Sequence, residues 1–358
     1  MTLDDRLERW GGEQLLLRRD PCGATAIVAI HSTALGPARG GTRLRCYSSL
    51  DEAVDDALAL AAAMTLKFAA VDFPSGGGKA VLAIPAGLGG EARRGLLLRY
   101  GGYLRQLEGI FGTGPDVGTT PADMDVIAEG GAPEVFCRTP AQGGAGDSGP
   151  FTALGVAAAA ERVCLHLFGV ASVRGRACSV QGLGGVGAPL VRALSERGAL
   201  VLVADPNPAA VDELVTACPG VAVVDPRVLL EAPCDLLMPC ALGGIITSDR
   251  IPRLRCRAIV GGANNPLADP EGGARALAAR GILYAPDFIV NVGGALAATG
   301  IESLGWSKVQ ARMRLVEAVS HNLDLVFRRA EEQGSDPWTA ARGLAEERLA
   351  RARGAAAS

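Results

Sequence analysis

The sequence lacks the features that would direct a protein to nucleic acid, to a membrane or to export. Its formal net charge is only -3 over 358 residues, so there is no basic excess to bind nucleic acid or an anionic lipid surface. No uninterrupted apolar run reaches membrane-spanning length, and the first residues contain no apolar signal region. We therefore expect a cytoplasmic protein with no nucleic-acid or membrane partner.

Cysteine and histidine offer few candidates for chemistry. The nine cysteines are an odd number without the paired spacing of a metal site or a disulfide framework. This predicts reduced thiols and no bound metal. The only histidines are His31, His166 and His321, and none lies in a glycine-rich loop. A hydroxyacid dehydrogenase that uses a histidine as general acid and base is therefore disfavoured.

The sequence is rich in apolar residues and in glycine, and its length predicts two domains. Hydrophobic residues make up 49% of the chain and charged residues 20%, and glycine occurs 48 times. A chain of 358 residues exceeds the usual size of one core, so two domains are expected. The glycine-rich segment 141–150 is the best candidate for the linker between them.

Two lysines flank a run of three glycines in the first half. Lys67 closes an apolar helix, and Lys79 opens an apolar strand over 80–84. Pro74 and Gly76–Gly78 are expected to reverse the chain between them. If this turn brings the two ammonium groups together, each lowers the pKa of the other, and the pair can hold a carboxylate and move a proton. The alternative is a glycine-rich hairpin with two solvated lysines.

The strands before this segment are predicted from their apolar and alternating patterns. One strand is expected over 24–31 and a second over 42–47, with 36–41 as the loop between them. The residues before 24 give no clear pattern.

Asp116 stands in a loop that Gly114, Pro115 and Gly118 make rigid. Thr120 caps the helix that follows, with a proline at its first position. A carboxylate held in such a loop can act as a general base if it faces the lysines. The alternative is a turn aspartate that only binds nearby backbone.

A dinucleotide-binding motif opens the second half. The strand 177–181 is followed by Gly182-Leu183-Gly184-Gly185-Val186-Gly187, which matches G-x-G-x-x-G, and then by a helix over 188–197. The next strand, 200–204, ends at Asp205. The glycines allow backbone N–H groups to approach a pyrophosphate, and Asp205 would accept hydrogen bonds from the ribose. The residues after Asp205 supply no cation for a 2′-phosphate, which favours NAD over NADP.

Four more strands are expected, and they complete a doubly wound parallel sheet. They lie over 221–224, 235–238, 258–260 and 282–284. The loops after two of them, 239–244 and 261–265, are expected to overhang the nicotinamide because ligands bind beyond the carboxyl ends of parallel strands.

Several separate motifs resemble the glutamate/leucine/phenylalanine/valine dehydrogenase family. They are Leu35-Gly36-Pro37-Ala38, Ala63-Met64-Thr65-Leu66-Lys67, Gly76-Gly77-Gly78-Lys79, Thr113-Gly114-Pro115-Asp116-Val117, Val180-Gln181-Gly182-Leu183-Gly184, Pro239-Cys240-Ala241, Gly262-Ala263-Asn264-Asn265 and Gly281-Ile282-Leu283-Tyr284-Ala285-Pro286-Asp287. The resemblance implies a two-domain α/β fold: an N-terminal substrate-binding and oligomerisation domain over 1–148, and a Rossmann-type NAD-binding domain over 149–332. The C-terminal helix, 333–358, would return to the first domain of a homo-oligomer.

The resemblance also implies the reaction and the roles of individual residues. The enzyme would use NAD and water to convert an L-amino acid reversibly to its 2-oxo acid and ammonium. Lys67 would bind the substrate α-carboxylate with the backbone of Gly40 and Gly77. Lys79, with a lowered pKa, would activate the attacking water, and Asp116 would carry protons to and from the amine. Further residues at matching positions are Met64 and Asn264 for substrate and Thr152, Cys240, Ala241 and Asn264 for the cofactor.

Arg39 departs from the family pattern. It stands where members with apolar substrates have an apolar pocket residue and glutamate-specific members have a lysine. An acidic or polar substrate read by Arg39 is one alternative, and an aromatic one stacked under the guanidinium is another. Arg39 could instead turn to solvent or pair with an acid such as Asp72. The small pocket residues Gly114, Val292 and Ala295 leave room for a large apolar or aromatic side chain.

A catalytically silent NAD-binding regulatory protein is the remaining alternative. It would be expected to have lost Lys67, Lys79 or Asp116. All three are present, so an active dehydrogenase is the favoured interpretation.

Overall fold

The computed structural model describes residues 2–356 and divides the chain into two compact units. Unit 1 contains the chain up to Asp147, Ala298–Trp306, and the chain from Ala345 onward, and unit 2 contains Ser148–Ala297 and Ser307–Leu344. The two-unit α/β fold is the one expected from the sequence. The predicted return of 333–358 to the first domain starts later in the structure, because Trp338 still packs on a core cluster of unit 2.

The first part of the chain builds unit 1. Its elements are α1 (Leu3–Trp10), β1 (Gln14–Arg19), β2 (Thr25–Ser32), β3 (Ala38–Arg45), α2 (Leu50–Ala70), β4 (Gly76–Ala83), α3 (Gly90–Arg105), β5 (Phe111–Pro115) and α4 (Pro121–Glu129). The sheet order is β1-β2-β4-β3-β5, with β3 parallel to both of its neighbours and β2 antiparallel to both of its own. One apolar core lies between the sheet and α3 and α4, and a second lies between the sheet and α2.

Two predictions about this sheet were wrong. The loop expected over 36–41 is already strand from Ala38, because β4 and β5 pair with β3 on both sides and override the low strand propensity of its glycines. The glycine run expected to form a turn lies inside β4. A Cβ on Gly77 would be 2.0 Å from the backbone nitrogen of Thr65, so glycine is needed for helix α2 to pack on the strand. The reversal instead uses Asp72, at a φ of +55°.

Unit 2 contains the predicted doubly wound sheet. Its elements are α5 (Gly149–Phe168), β6 (Ala177–Gln181), α6 (Gly187–Glu196), β7 (Leu200–Ala204), α7 (Pro208–Ala217), β8 (Ala222–Val223), β9 (Leu236–Pro239), β10 (Ala258–Ile259), α8 (Pro270–Ala279), β11 (Leu283–Tyr284), α9 (Asp287–Val290) and α11 (Lys308–Gln333). Two helices, α10 (Gly293–Glu302) and α12 (Pro337–Ala356), have residues in both units. The strand order is β11-β10-β9-β6-β7-β8, and every pairing is parallel.

Helix α5 is the one helix of residues 2–356 that is long and apolar enough to cross a membrane by length and composition. Eleven of its 20 residues are buried inside the protein. It packs on α6 and α11. These contacts are those of a core helix.

Arg348 of α12 attaches that helix to the end of α2. The side chain is buried, and Nη1 donates hydrogen bonds to the carbonyl oxygens of Ala69 and Ala70, at 3.0 and 2.8 Å. The last carbonyls of a helix have no partner within the helix and carry its negative dipole end. A buried guanidinium therefore both pairs these groups and complements their charge.

We predict that Arg348→Ala lowers the free energy of unfolding by about 2 kcal/mol, because charged hydrogen bonds to buried carbonyls are lost. Urea titration of the two proteins measures this difference. Arg351→Ala, at an exposed position of the same helix, is the control and should change stability by less than about 0.5 kcal/mol. Equal losses in both variants would contradict the role given to Arg348.

Candidate functional site

The sheet face that packs on α2 in unit 1 has glycines and charged side chains over β3, β4 and β5. Alternate residues of β3, β4 and β5 point to this face, opposite the core under α3 and α4. The residues of this substrate face are Arg39, Gly41 and Arg43 from β3, Gly77 and Lys79 from β4, and Gly112 and Gly114 from β5. In register, Arg39 is beside Gly77 and Gly112.

Lys79 and Asp116 meet on the substrate face. Lys79 is buried, and its Nζ lies 2.8 Å from Oδ2 of Asp116, which follows directly after β5. The loop holds the aspartate, because Thr119 donates its hydroxyl to the carbonyl of Asp116 and accepts from the Asp116 N–H. The structure thus places the predicted base and the predicted catalytic lysine in hydrogen-bond contact, a geometry suited to proton transfer.

Arg43 is a third member of this group, and it was not predicted from the sequence. Its Nε donates to the same Oδ2 of Asp116 at 2.9 Å. Its Nη1 donates to both carboxylate oxygens of Asp56, at 3.0 and 2.9 Å. Tyr47 donates its hydroxyl to Oδ2 of Asp56 at 2.6 Å. Five polar side chains therefore form one continuous chain of contacts.

The charges around Asp116 set its protonation. Burial by itself would raise the pKa of this carboxyl, but the positive charges of Lys79 and Arg43 outweigh it and hold the pKa at about 2. Asp116 is therefore ionised at neutral pH in this arrangement.

The residues expected at the substrate carboxylate lie around the end of α2. Lys67 and Met64 are half-buried on its last turns. A Cβ on Gly40 would be 1.9 Å from the carbonyl oxygen of Gly78, and a Cβ on Gly77 would be 2.0 Å from the backbone nitrogen of Thr65. No side chain fits at either glycine, so the backbone itself forms the surface there.

Arg39 is buried and already paired. Its Nη2 lies 3.3 Å from Oε2 of Glu134, and its guanidinium is 5.2 Å from the ring centre of Phe136. Pairing with a protein acid such as Asp72 was one alternative expected from the sequence; Arg39 does pair with an acid, and that acid is Glu134 and not Asp72. The side chain extends across Gly112, where a Cβ would be only 2.6 Å from Nη1, and so it reaches Glu134.

The glycine motif of unit 2 has the geometry of a phosphate-binding turn. Gly182 has a φ of +93°, and a Cβ on Gly187 would be 1.8 Å from the carbonyl oxygen of Gly182. A Cβ on Gly184 would meet no atom within 4 Å, so its backbone is open to a ligand. The N–H groups of Leu183 and Asn207 donate to the two oxygens of Asp205, which fixes that carboxylate beside the turn.

These residues fit a dinucleotide. The helix that begins at Gly187 has no side-chain cap on its first N–H groups, and such an N-terminus binds phosphate. Cys240 and Ala241 lie against the turn. A Cβ on Gly182 would be 2.7 Å from the Cβ of Ala241, and a Cβ on Gly187 would be 3.5 Å from the Cβ of Cys240. Burial raises the pKa of the Cys240 thiol to about 12, so it contributes no charge. Thr152 is buried and accepts the N–H of Gly294 at 3.1 Å.

Asn264 is exposed at the carboxyl end of the sheet and is oriented by residues that the sequence did not identify. Asn291 donates Nδ2 to Oδ1 of Asn264 at 3.1 Å and to the carbonyl of Ala263 at 3.2 Å. Asp287 accepts the N–H of Asn265 at 2.8 Å and the Tyr284 hydroxyl at 2.9 Å. The available signal was the pair of polar residues, Asp287 and Asn291, in the otherwise apolar segment 287–292.

Two further features of unit 2 concern Asn291 and the predicted pocket residues that follow it. Asn291 is 5% exposed, and within residues 2–356 its Oδ1 has no hydrogen-bond partner. Of the two predicted pocket residues, Val292 is fully buried and only Ala295 is partly exposed. Ala295 is therefore the one that offers accessible surface.

Both halves of the chain match one protein family. Residues 18–130 match the family described as Glu/Leu/Phe/Val dehydrogenase, dimerisation domain, and residues 207–356 match Glutamate/Leucine/Phenylalanine/Valine dehydrogenase.

Individual relatives cover nearly the whole chain. Leucine dehydrogenase of Geobacillus stearothermophilus is 38% identical, with 98% of this chain and 94% of the relative aligned. Valine dehydrogenase of Streptomyces albus is 41% identical, with 97% and 94% aligned. Among solved structures, L-tryptophan dehydrogenase from Nostoc punctiforme is 35% identical with a TM-score of 0.83, over 98% of this chain and 99% of that one. Hetero-hexameric glutamate dehydrogenase from Thermus thermophilus, in a Leu-bound form, is 29% identical with a TM-score of 0.80, over 95% and 89%.

We predict that Asp116 makes folding stability depend on pH in acid. Its pKa is about 2 in the folded protein against 3.8 as the ordinary value, so its contribution of about 2 kcal/mol is complete above pH 3.8 and is lost as pH falls towards 2. Asp116→Asn should therefore be less stable than the wild type at pH 7, and the gap should narrow between pH 4 and 2. Urea unfolding across this range measures it, with exposed Asp212→Asn as the control. A constant gap would contradict the prediction.

Proposed function

This chain belongs to the glutamate/leucine/phenylalanine/valine dehydrogenase family, and we propose that within it the enzyme uses NAD to oxidise an L-amino acid with a large apolar or aromatic side chain. Like the leucine, valine and tryptophan dehydrogenases to which it is similar, the chain is an amino acid dehydrogenase, an oxidoreductase that acts on the CH–NH2 group of amino acids with apolar side chains. The reaction is L-amino acid, NAD⁺ and water to 2-oxo acid, ammonium, NADH and a proton.

The proposed roles follow from the two groups of residues. Lys67 would bind the α-carboxylate beside the closed backbone of Gly77. Lys79 would hold the attacking water, and Asp116, in contact with Lys79, would take the proton and return it to the departing amine. NAD bound at the glycine turn would accept the hydride from the α-carbon. The Lys79–Asp116 contact is the observation that favours an active enzyme over a silent NAD-binding protein.

The pairing of Arg39 argues against an acidic substrate. A free buried cation would select a substrate carboxylate, as a lysine does at this position in glutamate-specific members. Here Glu134 supplies the anion, and Ser303 donates its hydroxyl to the same Glu134 oxygen at 2.8 Å. The side-chain carboxylate of an acidic substrate would lie beside an ion pair with no net charge, and nothing would compensate for its loss of hydration. This is the single observation that carries the choice of an apolar side chain.

The surroundings of Gly114 argue for a large side chain. A Cβ on Gly114 would have no neighbour closer than 3.7 Å, and that neighbour is Phe136. The two nearest atoms are the Cβ and the carbonyl oxygen of Phe136, at 3.7 and 3.8 Å, so the position beside Gly114 has room for further side-chain atoms. A large apolar or aromatic substrate side chain can use such space. A tryptophan dehydrogenase among the structural relatives is consistent with this size.

NAD as the specific cofactor rests on Asp205. Its carboxylate is fixed by two backbone N–H groups beside the glycine turn. A negative charge held there accepts ribose hydroxyls and repels a 2′-phosphate.

Oligomerisation and compartment are also part of the proposal. A homo-oligomer is supported by the match of residues 18–130 to a dimerisation domain, and the hetero-hexameric relative supports oligomerisation in general. A cytoplasmic location is supported by the nine cysteines, all of which are free thiols.

The substrate class is tested by NADH formation at alkaline pH with L-Phe, L-Trp, L-Leu, L-Val and L-Glu. We expect activity on apolar substrates, highest on the aromatic ones, and little on glutamate. Glu134→Gln leaves Arg39 charged without its anion, so kcat/KM for glutamate relative to phenylalanine should rise roughly tenfold, equivalent to about 1.4 kcal/mol. Glu129→Gln, which removes an exposed acid paired with Arg94, is the matched control and should leave the ratio unchanged.

Two results would contradict the proposed substrate class. Wild-type activity confined to glutamate would overturn the proposed side chain. If Arg39→Leu abolished that activity, Arg39 would be the residue that reads an acidic substrate.

The cofactor is tested with Asp205→Ser. Removing the fixed carboxylate should weaken NADH binding and bring NADPH binding closer to it, shifting the ratio of the two dissociation constants by roughly tenfold. Quenching of protein fluorescence by each nucleotide measures the ratio without turnover. A wild type that prefers NADPH would refute the assignment, as would an unchanged ratio in the variant.

A further inference from the structure

Arg43 binds the proposed proton carrier from the same sheet face as Lys79. Its Nε and the Nζ of Lys79 both donate to Oδ2 of Asp116, at 2.9 and 2.8 Å. The N–H of Val117 also binds the Asp116 carboxylate. Two cations on a single oxygen fix the direction of the carboxylate as well as its charge.

The other end of Arg43 is fixed by an independent anion. Asp56 of α2 accepts Nη1 with both oxygens, and Tyr47 donates its hydroxyl to Asp56. Arg43, Asp116 and Asp56 are all mostly buried, with side chains 18%, 21% and 24% exposed. Burial lowers the pKa of Arg43, but the two carboxylates outweigh it and raise that pKa above its ordinary value. The guanidinium is therefore a permanent charge.

This arrangement lets Arg43 loosen its contact with Asp116 without being left unpaired. A proton carrier must bind a proton and then release it, and a carboxylate held by two cations binds protons poorly. If Nε moves away from Asp116, the guanidinium still has both oxygens of Asp56. A buried arginine with only one anion would face a large penalty for the same movement.

We propose that Arg43 is a positioning residue shared between Asp116 and Asp56, which directs the Asp116 carboxylate at Lys79 and sets the pH range in which Asp116 can carry a proton. The inference rests on the proposed function, since it assumes that Asp116 moves protons for amino acid deamination. The groups that act on Asp116 are Lys79 from β4, Arg43 from β3 and the Val117 N–H, and Asp56 from α2 acts through Arg43.

The test compares Arg43→Gln, Arg43→Lys and Asp56→Asn, with Arg45→Gln as the control. Arg45 lies on the same strand, but it is about half exposed and its carboxylate partner is Glu52. In Arg43→Gln, the acidic limb of the kcat profile should move up by about one to three pH units, because an adjacent opposite charge is lost. At neutral pH, kcat should fall roughly tenfold while KM changes by less than about twofold. Arg43→Lys should restore part of the shift.

Asp56→Asn should act in the other direction. When Asp56 is neutral, Asp116 is the only carboxylate that interacts with the Arg43 charge, so the acidic limb of the kcat profile should not rise. We still expect kcat to fall, because Asp116 accepts protons less readily. An acidic limb that rises in Arg43→Gln and does not rise in Asp56→Asn separates this role from a merely structural one, which would lower the melting temperature without moving the limb.

A second readout does not depend on turnover. The titration of Asp116 can be followed by ¹³C NMR in protein labelled at aspartate Cγ and assigned with Asp116→Asn. In the wild type, the Asp116 Cγ chemical shift should remain that of an ionised carboxylate throughout the mildly acidic range. In Arg43→Gln, the midpoint of the Asp116 titration should rise by about one to three pH units. If no amino acid is oxidised, the proposed function fails while the NMR result still tests Arg43. An unmoved midpoint, or an equal shift in Arg45→Gln, overturns the inference.

Discussion

The contact between Lys79 and Asp116 is the interaction on which the substrate half of this protein depends. It requires space, because the two side chains meet over the glycine positions of the sheet. A Cβ on Gly41 would be 2.8 Å from the carbonyl oxygen of Pro115 and 3.3 Å from the Lys79 Nζ, so any side chain there would displace the pair. Charged side chains thus explain the glycines at 41 and 112, while Gly77 is explained by the contact with Thr65 of α2.

Arg39, which is buried, and Arg43, which is half-buried, obey the same constraint on β3. A buried charge needs a partner, and each arginine has its own: Glu134 for Arg39, and Asp116 with Asp56 for Arg43. Because residues two apart on a strand share a face, both arginines lie on the face that carries Lys79. One pairing removes a charge that would select acidic substrates, and the other holds the carboxylate expected to do chemistry. In the roles proposed for them, the same residue type would serve specificity at one end of the strand and proton transfer at the other.

The parts of the fold that could be predicted are those set by neighbours in sequence. The strands 177–181 and 200–204 and the Thr120 cap depend on apolar runs, turn residues and a local hydrogen bond, and they occur as predicted. The start of β3 and the course of Gly76–Gly78 were wrong because strand pairing decides them. The first helix and first strand went unpredicted, since α1 has no buried residue and β1 is an edge strand with little burial.

The sequence by itself determined the family, the dinucleotide motif and the identity of the candidate residues Lys67, Lys79 and Asp116, because each belongs to a short run whose residue types are visible locally. The tertiary structure alone decided which charges meet. Arg43 and Asp116 are 73 positions apart, and they touch only because β3 lies between β4 and β5 in the sheet. The partner of Arg39 was decided in the same way: Gly112 on the neighbouring strand leaves a path towards Glu134. Electrostatic pairing acts over a few ångströms, so it follows the order of strands in space and not the order of residues in the chain.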